Sequence, residues 1–201
     1  GQTVGAALVI DNSKYLNRVL DFNLEAMTVT VEPGIVLDHL NAWLKPHGVW
    51  FPVDVSTSAQ CTLGGMAGNN SCGSRSIAYG NMVHNVESIE ALLLDGTAAT
   101  FTDASRMGNA PPRIRALMDT VQGIAVRERD EIERMVPKVL RRVGGYNLDV
   151  FHPQSPRPYA ADGQINWAHM LVGSEGTLAY TRAMTLKLSP LPVAKALGVV
   201  N

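Results

Sequence analysis

Apolar and polar positions along the chain alternate in two periods, and the order of those periods predicts the architecture. Ala6-Ala7-Leu8-Val9-Ile10-Asp11 reads as a core strand. Thr28-Val29-Thr30-Val31-Glu32 alternates as a half-buried strand does, and Pro33-Gly34 stops it. Ile35, Leu37, Leu40 and Leu44 then recur at helical spacing as far as Lys45, where Pro46 and Gly48 end the helix. Residues 54–80 are polar, small and glycine-rich, with no sustained period. Ser88–Leu94 and Thr97–Thr102, joined by Asp95-Gly96, read as a β-hairpin whose turn residues both tolerate positive φ. From Pro111 to Val143 the pattern is helical. Ile132, Met135, Val136, Val139, Leu140 and Val143 form one stripe, with Glu131, Glu133, Arg134, Arg141 and Arg142 mostly off it. Pro137 inside that stripe predicts a kink or two abutting helices. Residues 152–165 read as a loop. Leu178, Tyr180, Arg182, Met184, Leu186 and Leu188 alternate as one long strand, which Pro190 and Pro192 end. No internal repeat is present, and the order of elements predicts an α+β fold, a mostly antiparallel sheet flanked by helices.

Composition narrows the class. At 46% apolar and 17% charged residues the chain is globular rather than disordered. A net charge of −1 gives no field that would recruit nucleic acid. No apolar run approaches the ~20 residues of a membrane span. Cys61 and Cys72 have no metal-binding spacing and read as two partly buried thiols of a protein in a reducing compartment. G-x-G-x-x-G, G-x-x-x-x-G-K-[ST] and G-x-S-x-G are all missing from the sequence, which sets aside ordinary Rossmann units, P-loop enzymes and α/β-hydrolases. His39, His47, His84, His152 and His169 are scattered, and each reads as a structural or surface histidine.

Two segments remain as candidate chemistry. Ser56–Gly73 packs hydroxyls and amides around Gly64-Gly65. Glycines let backbone approach a ligand closely, and exposed N–H groups can cradle an anion. Such a run also suits a surface loop, but Leu63, Met66 and Ala67 would anchor this one in a core. The second segment, Gly173-Ser174-Glu175-Gly176-Thr177, taken alone is a turn before the last strand.

Read in order, Val31-Glu32-Pro33-Gly34, Phe51-Pro52, Thr62-Leu63-Gly64-Gly65-Met66-Ala67-Gly68-Asn69-Asn70, Tyr79-Gly80, Asp95-Gly96, Gly145-Tyr146-Asn147-Leu148 and Gly173–Leu178 resemble the FAD-linked oxidases of the vanillyl-alcohol-oxidase (PCMH-type) superfamily. Within it the chain is most similar to the D-lactate, glycolate and D-2-hydroxyglutarate dehydrogenase branch, in particular to large bacterial members fused to an iron–sulfur domain. The resemblance implies two α+β subdomains with FAD extended between them. Residues 1–190 would form an FAD-binding domain incomplete at its N-terminus, with a helical insertion at about 104–144. Residues 191–201 would begin the connection to a substrate cap. It also implies that Ser56, Thr57, Ser58, Ala59, Gln60, Cys61, Thr62, Gly64 and Gly65 line the pyrophosphate and ribityl region. Asn69, Asn70, Ser71 and Gly73 would approach the flavin, and Glu175, Gly176, Thr177, Leu178 and Thr181 would lie along the cofactor. No catalytic residue and no metal ligand is assigned within the chain.

The implied reaction is oxidation of a small D-2-hydroxy acid to the 2-oxo acid, with hydride passing to flavin N5 and electrons onward to an acceptor. The implied location is the cytoplasm, or the periphery of the inner membrane through that acceptor. Alternatives on the same fold are an oxidase of an alcohol or sugar and a non-catalytic interaction module using the Pro111–Val143 helices. The sequence departs from the family pattern at Ala179, where glycine is usual, and at Tyr180-Thr181-Arg182, which replaces an aliphatic stretch. It begins just after the place of a Gly-Gly-Gly-Thr pyrophosphate loop, and both ends read as cuts in a longer protein.

Overall fold

A computed structural model of the protein describes residues 6, 9–139, 141–151, 163–194 and 198. Its strands are β1 (Val19–Asn23), β2 (Thr28–Val31), β3 (Val49–Trp50), β4 (Val86–Leu92), β5 (Ala98–Phe101), β6 (Tyr180–Lys187) and β7 (Ser189–Pro190). Five of them form one sheet in the order β1-β2-β6-β4-β5, and every neighbouring pair is antiparallel. β3 and β7 pair separately. The α+β class and the antiparallel sheet expected from the alternation are both present.

Period-two patterning explains the sheet's centre. Val29 and Val31 on β2 face Leu186 and Met184 across the register, and all four are fully buried. Thr30 and Thr185 share the other face, with hydroxyl oxygens 2.9 Å apart. Each such cross-strand pair stabilises the sheet by about 0.2–1 kcal/mol. β6 lies between β2 and β4, so a strand from the C-terminal part of the chain is the middle of the sheet.

Helix α1 (Leu37–Leu44) buries Leu37, Leu40 and Leu44 on one face. Each contributes roughly 1.5–3 kcal/mol relative to exposure. Pro46 sits in a single 3-10 turn after it, closed by Gly48 at φ 73°. The aperiodic stretch 54–80 contains α2 (Leu63–Gly68) and α3 (Ser76–Tyr79), followed by α4 (Met82–Asn85). Helices of one or two turns are too short to impose a readable 3.6-residue repeat.

Four sequence expectations need correction. Val9 and Ile10 are exposed and outside any strand, because a strand needs a pairing partner and the described residues supply none there. The β4–β5 hairpin is real, but only Gly96 takes positive φ, at 81°. Gly96 N donates to Leu93 O and Leu93 N to Thr97 O, so the loop is a type I turn closed by a glycine bulge. Helix α5 (Pro112–Arg127) and helix α6 (Arg129–Met135) abut at Glu128 rather than at Pro137. Pro137 ends α6 by driving Val136 into extended backbone, which leaves Met135 and Val139 exposed. Arg142, expected on a solvated helix face, instead forms a 2.6 Å pair with Asp149, each side chain only 11% exposed. Of the loop at 152–165, residues 152–162 lie outside the described residues, as do Leu197, Val199 and Val200. α7 (Ala168–Leu171) leads from it back toward the sheet.

Glu32 is the buried charge that ties the edge of the sheet to the Pro33-Gly34 turn. Its carboxylate accepts hydrogen bonds from Arg18 N (2.8 Å), Nε (3.2 Å) and Nη2 (2.8 Å). The Arg18 side-chain hydrogen bond holds the Glu32 carboxyl below its ordinary value, ahead of the opposing effect of burial. A carboxyl with a lowered folded pKa contributes stability above the unfolded value and loses it as pH falls through the folded one. Glu32→Gln should therefore lower stability at pH 7 by about 1–2 kcal/mol. The loss should shrink as pH falls below the ordinary glutamate range, as urea titrations across pH would show.

Candidate cofactor-binding site

Thr62 caps α2, its Oγ1 accepting from Gly65 N at 3.3 Å. Leu63 N donates to Ile35 O (2.9 Å) and Gly64 N to Pro33 O (2.8 Å), so the first turn of α2 is fastened to the segment after β2. A Cβ at Gly64 would lie 2.6 Å from Pro33 Cβ, so only glycine permits this approach. Gly65 is exposed, and among the described residues a Cβ there would meet only Thr62 Oγ1, at 3.3 Å.

The Gly173–Thr177 turn docks on the far end of α2. Gly173 N donates to Ala67 O (2.8 Å) and Glu175 N to Gly68 O (2.9 Å). The turn bends through three left-handed residues, Gly173 (φ 83°), Glu175 (φ 54°) and Gly176 (φ 73°). For Glu175 that conformation costs roughly 1–2 kcal/mol. Thr177 offsets it, donating to Ser174 O from its backbone N at 2.9 Å and from its hydroxyl at 2.5 Å.

Between these two segments opens a cleft of about 1280 Å³. Thr62, Gly64, Gly65, Ala67 and Gly68 line it together with Ser174–Thr181, and Ile10–Ser13, Pro33, Ile89, Leu92–Leu94 and Leu171 complete the wall. Pockets for drug-sized ligands run to ~1,000 Å³, so this one has room for a dinucleotide. Its described wall carries the carboxylates Asp11 and Glu175 and no lysine, arginine or histidine. Phosphates would be held there by uncharged donors, and rings by Leu92, Leu178 and their apolar neighbours.

Behind the cleft lies a buried polar layer. Asn70, at φ 51°, accepts from Val83 N through Oδ1 (3.0 Å) and donates through Nδ2 to Arg142 O (3.3 Å). Asn147 Nδ2 donates to Val172 O (2.8 Å) and His169 O (3.0 Å). On the exposed side of that layer, the Tyr146 and Thr177 hydroxyls lie 2.8 Å apart. Burial pushes His169 down to about 3, with Lys187 and His84 adding to the effect, so its imidazole is neutral at pH 7. Burial also lowers His84, whose Nδ1 accepts from Asn81 N at 3.0 Å and closes a local cap.

The residues singled out in the sequence divide in two. Thr62, Gly64, Gly65, Glu175, Gly176, Thr177, Leu178 and Thr181 come together on the cleft wall. Ser56, Thr57, Ser58, Ala59, Gln60 and Cys61 form a turn outside that wall, and it caps α1: Leu37 N donates to Cys61 O and Asp38 N to Ser58 O, each at 3.1 Å. Desolvation raises the Cys61 thiol, and Cys61 and Cys72 are free and half-buried. Asn70 stands in the polar layer. Asn69 Oδ1 accepts from Ser71 Oγ. Gly73 is packed against Asp54, where a Cβ would lie 1.3 Å from the carbonyl oxygen. Wall residues Asp11–Ser13 and Leu92–Leu94 carried no sequence signal beyond ordinary strand and turn patterning, and Pro33 entered only through the Val31–Gly34 block of the family resemblance.

Residues 1–102 match the sequence model of a family described as "FAD binding domain". D-2-hydroxyglutarate dehydrogenase of Pseudomonas putida is 32% identical over 206 residues, which span 100% of this chain and 20% of that protein. The Escherichia coli protein of the same name is 32% identical over 203 residues, 98% of this chain and 19% of that protein. A probable mitochondrial D-lactate dehydrogenase of Danio rerio is 29% identical over 92% of this chain and 27% of its own length. The chain thus spans about a fifth to a quarter of the curated relatives it matches. A solved structure of alkyldihydroxyacetonephosphate synthase shares the fold, with a TM-score of 0.54 and 20% identity over 89% of this chain and 22% of that one. Among the described residues no helix is long and apolar enough to cross a membrane.

Removing the Asn147 side chain strands two carbonyls in a buried layer, at about 1–3 kcal/mol each. Asn147→Ala should lower the thermal midpoint well beyond what an exposed Asn→Ala change does. An unchanged midpoint in calorimetry would show that water replaces the amide.

Proposed function

This chain belongs to the FAD binding domain family, and we propose that its cleft holds FAD within an enzyme that oxidises a D-2-hydroxy acid to the 2-oxo acid. The observation that carries the reading is the cleft itself, where two glycine-rich segments more than 100 residues apart meet edge to edge. The names of the relatives, D-2-hydroxyglutarate and D-lactate dehydrogenases, support the substrate class.

When bound, FAD supplies the hydride acceptor, a group that no protein side chain offers. This chain's residues bind and orient. Gly65 and Gly176 keep the wall free of side chains so that backbone can approach the cofactor. Thr62 offers a hydroxyl proton, since its oxygen only accepts from Gly65 N, and Leu92 and Leu178 exclude water from the rings. In this reading the Ser56–Cys61 turn and Asn69–Gly73 act one layer back, by holding α1, α2 and the polar layer in place. Residues 1–190 form the FAD-binding unit, with about 104–144 an insertion in it. The base that takes the substrate's proton, and the acceptor that takes the electrons, lie outside this chain.

Titration with FAD followed by gel filtration should leave flavin absorbance with the protein. Gly65→Leu fills the cleft from an exposed position, so it should weaken binding about tenfold or more, a change of ~1.4 kcal/mol or greater, while the thermal midpoint holds. Full FAD affinity in a folded Gly65→Leu protein would place the cofactor elsewhere.

A further inference from the structure

We propose that Tyr180 and Asn12 are a positioning pair that holds the turn at residues 11–16 against the cleft and so governs release of the nucleotide; this rests on the reading of the cleft as an FAD site. Tyr180 opens β6 and lines the cleft, and its hydroxyl donates to Asn12 Oδ1 at 2.8 Å across 168 positions of sequence.

The turn that carries Asn12 is built locally. Asp11 Oδ1 accepts from Ser13 N (2.9 Å) and Ser13 Oγ (2.6 Å), and Leu16 N donates to Asn12 O (3.0 Å). Among the described residues it has no ladder partner, so it depends on outside anchors. One is Gly34, whose N donates to Leu16 O at 2.7 Å and where a Cβ would lie 2.1 Å from Asn12 O. The Tyr180 hydroxyl is the other. Ile10–Ser13 form part of the cleft wall, so a turn held at Gly34 but released from Tyr180 would leave that wall loose.

An aliphatic side chain at position 180 could pack there but could not hold Asn12. The aromatic hydroxyl at Tyr180 therefore has a physical use in this chain.

The test compares the unmodified protein with Tyr180→Phe, Asn12→Leu, Asn12→Asp and the Tyr180→Phe/Asn12→Leu double variant. Amide hydrogen exchange at residues 11–16, the FAD dissociation rate and the melting temperature are measured on each. Tyr180→Phe removes only the donor. It should speed exchange in the turn and raise FAD dissociation about three- to tenfold, the range of one lost hydrogen bond, without moving the melting temperature. Asn12→Leu should match it, the double variant should add nothing, and Asn12→Asp, which keeps an acceptor, should stay near the unmodified rate. FAD bound and released at the unmodified rate by Tyr180→Phe would overturn the pairing alone, as would additive effects in the double variant. An unmodified protein that takes up no FAD would overturn the cofactor reading and this role with it. The exchange rates would still show whether the pair holds the turn.

Discussion

Two backbone hydrogen bonds, Gly173 N to Ala67 O and Glu175 N to Gly68 O, are what the rest of the site depends on. They join the end of a six-residue helix to a turn more than 100 residues later. Neither segment would keep its shape alone, since α2 is too short to be stable in isolation and the turn contains a glutamate in a left-handed conformation. Both are held by what flanks them. The N-terminal end of α2 is fastened to Pro33 at the end of β2, and the turn leads directly into β6. Because β2 and β6 are paired neighbours, the sheet register sets the distance between the two segments and hence the width of the cleft.

The polar layer behind the cleft serves a different purpose from the apolar core. Asn70, Asn147 and the Arg142–Asp149 pair are buried or nearly so, where leucines would pack at lower desolvation cost. Their hydrogen bonds are directional, and each bonds to a segment too short to carry a period of its own: Asn147 to α7 and the residue that follows it, Asn70 to the start of α4 and to Arg142. Hydrophobic contact alone would bury these loops without choosing one conformation. Satisfied amides in a low-dielectric setting do choose one, because any other leaves a polar group unpaired.

Local sequence was enough to specify the elements whose side chains repeat over several turns or strand residues. The alternation of Val29 and Val31, and of Met184 and Leu186, specified buried strand faces, and the spacing of Leu37, Leu40 and Leu44 specified α1. In such elements each residue's burial depends on its near neighbours. The glycine-rich segments were also visible as candidate chemistry, since glycine clusters mark backbone that must turn or be approached closely. Tertiary structure decided which of their donors face the cleft. Ser56–Cys61 and Thr62–Gly65 belong to one aperiodic run in the sequence, yet the first turns its carbonyls to α1 and the second lines the cavity. It also decided that Arg142 is buried against Asp149 and that Asn12 meets Tyr180, 168 positions away. Both follow from single polar contacts between particular side chains, and no hydrophobic period carries that information.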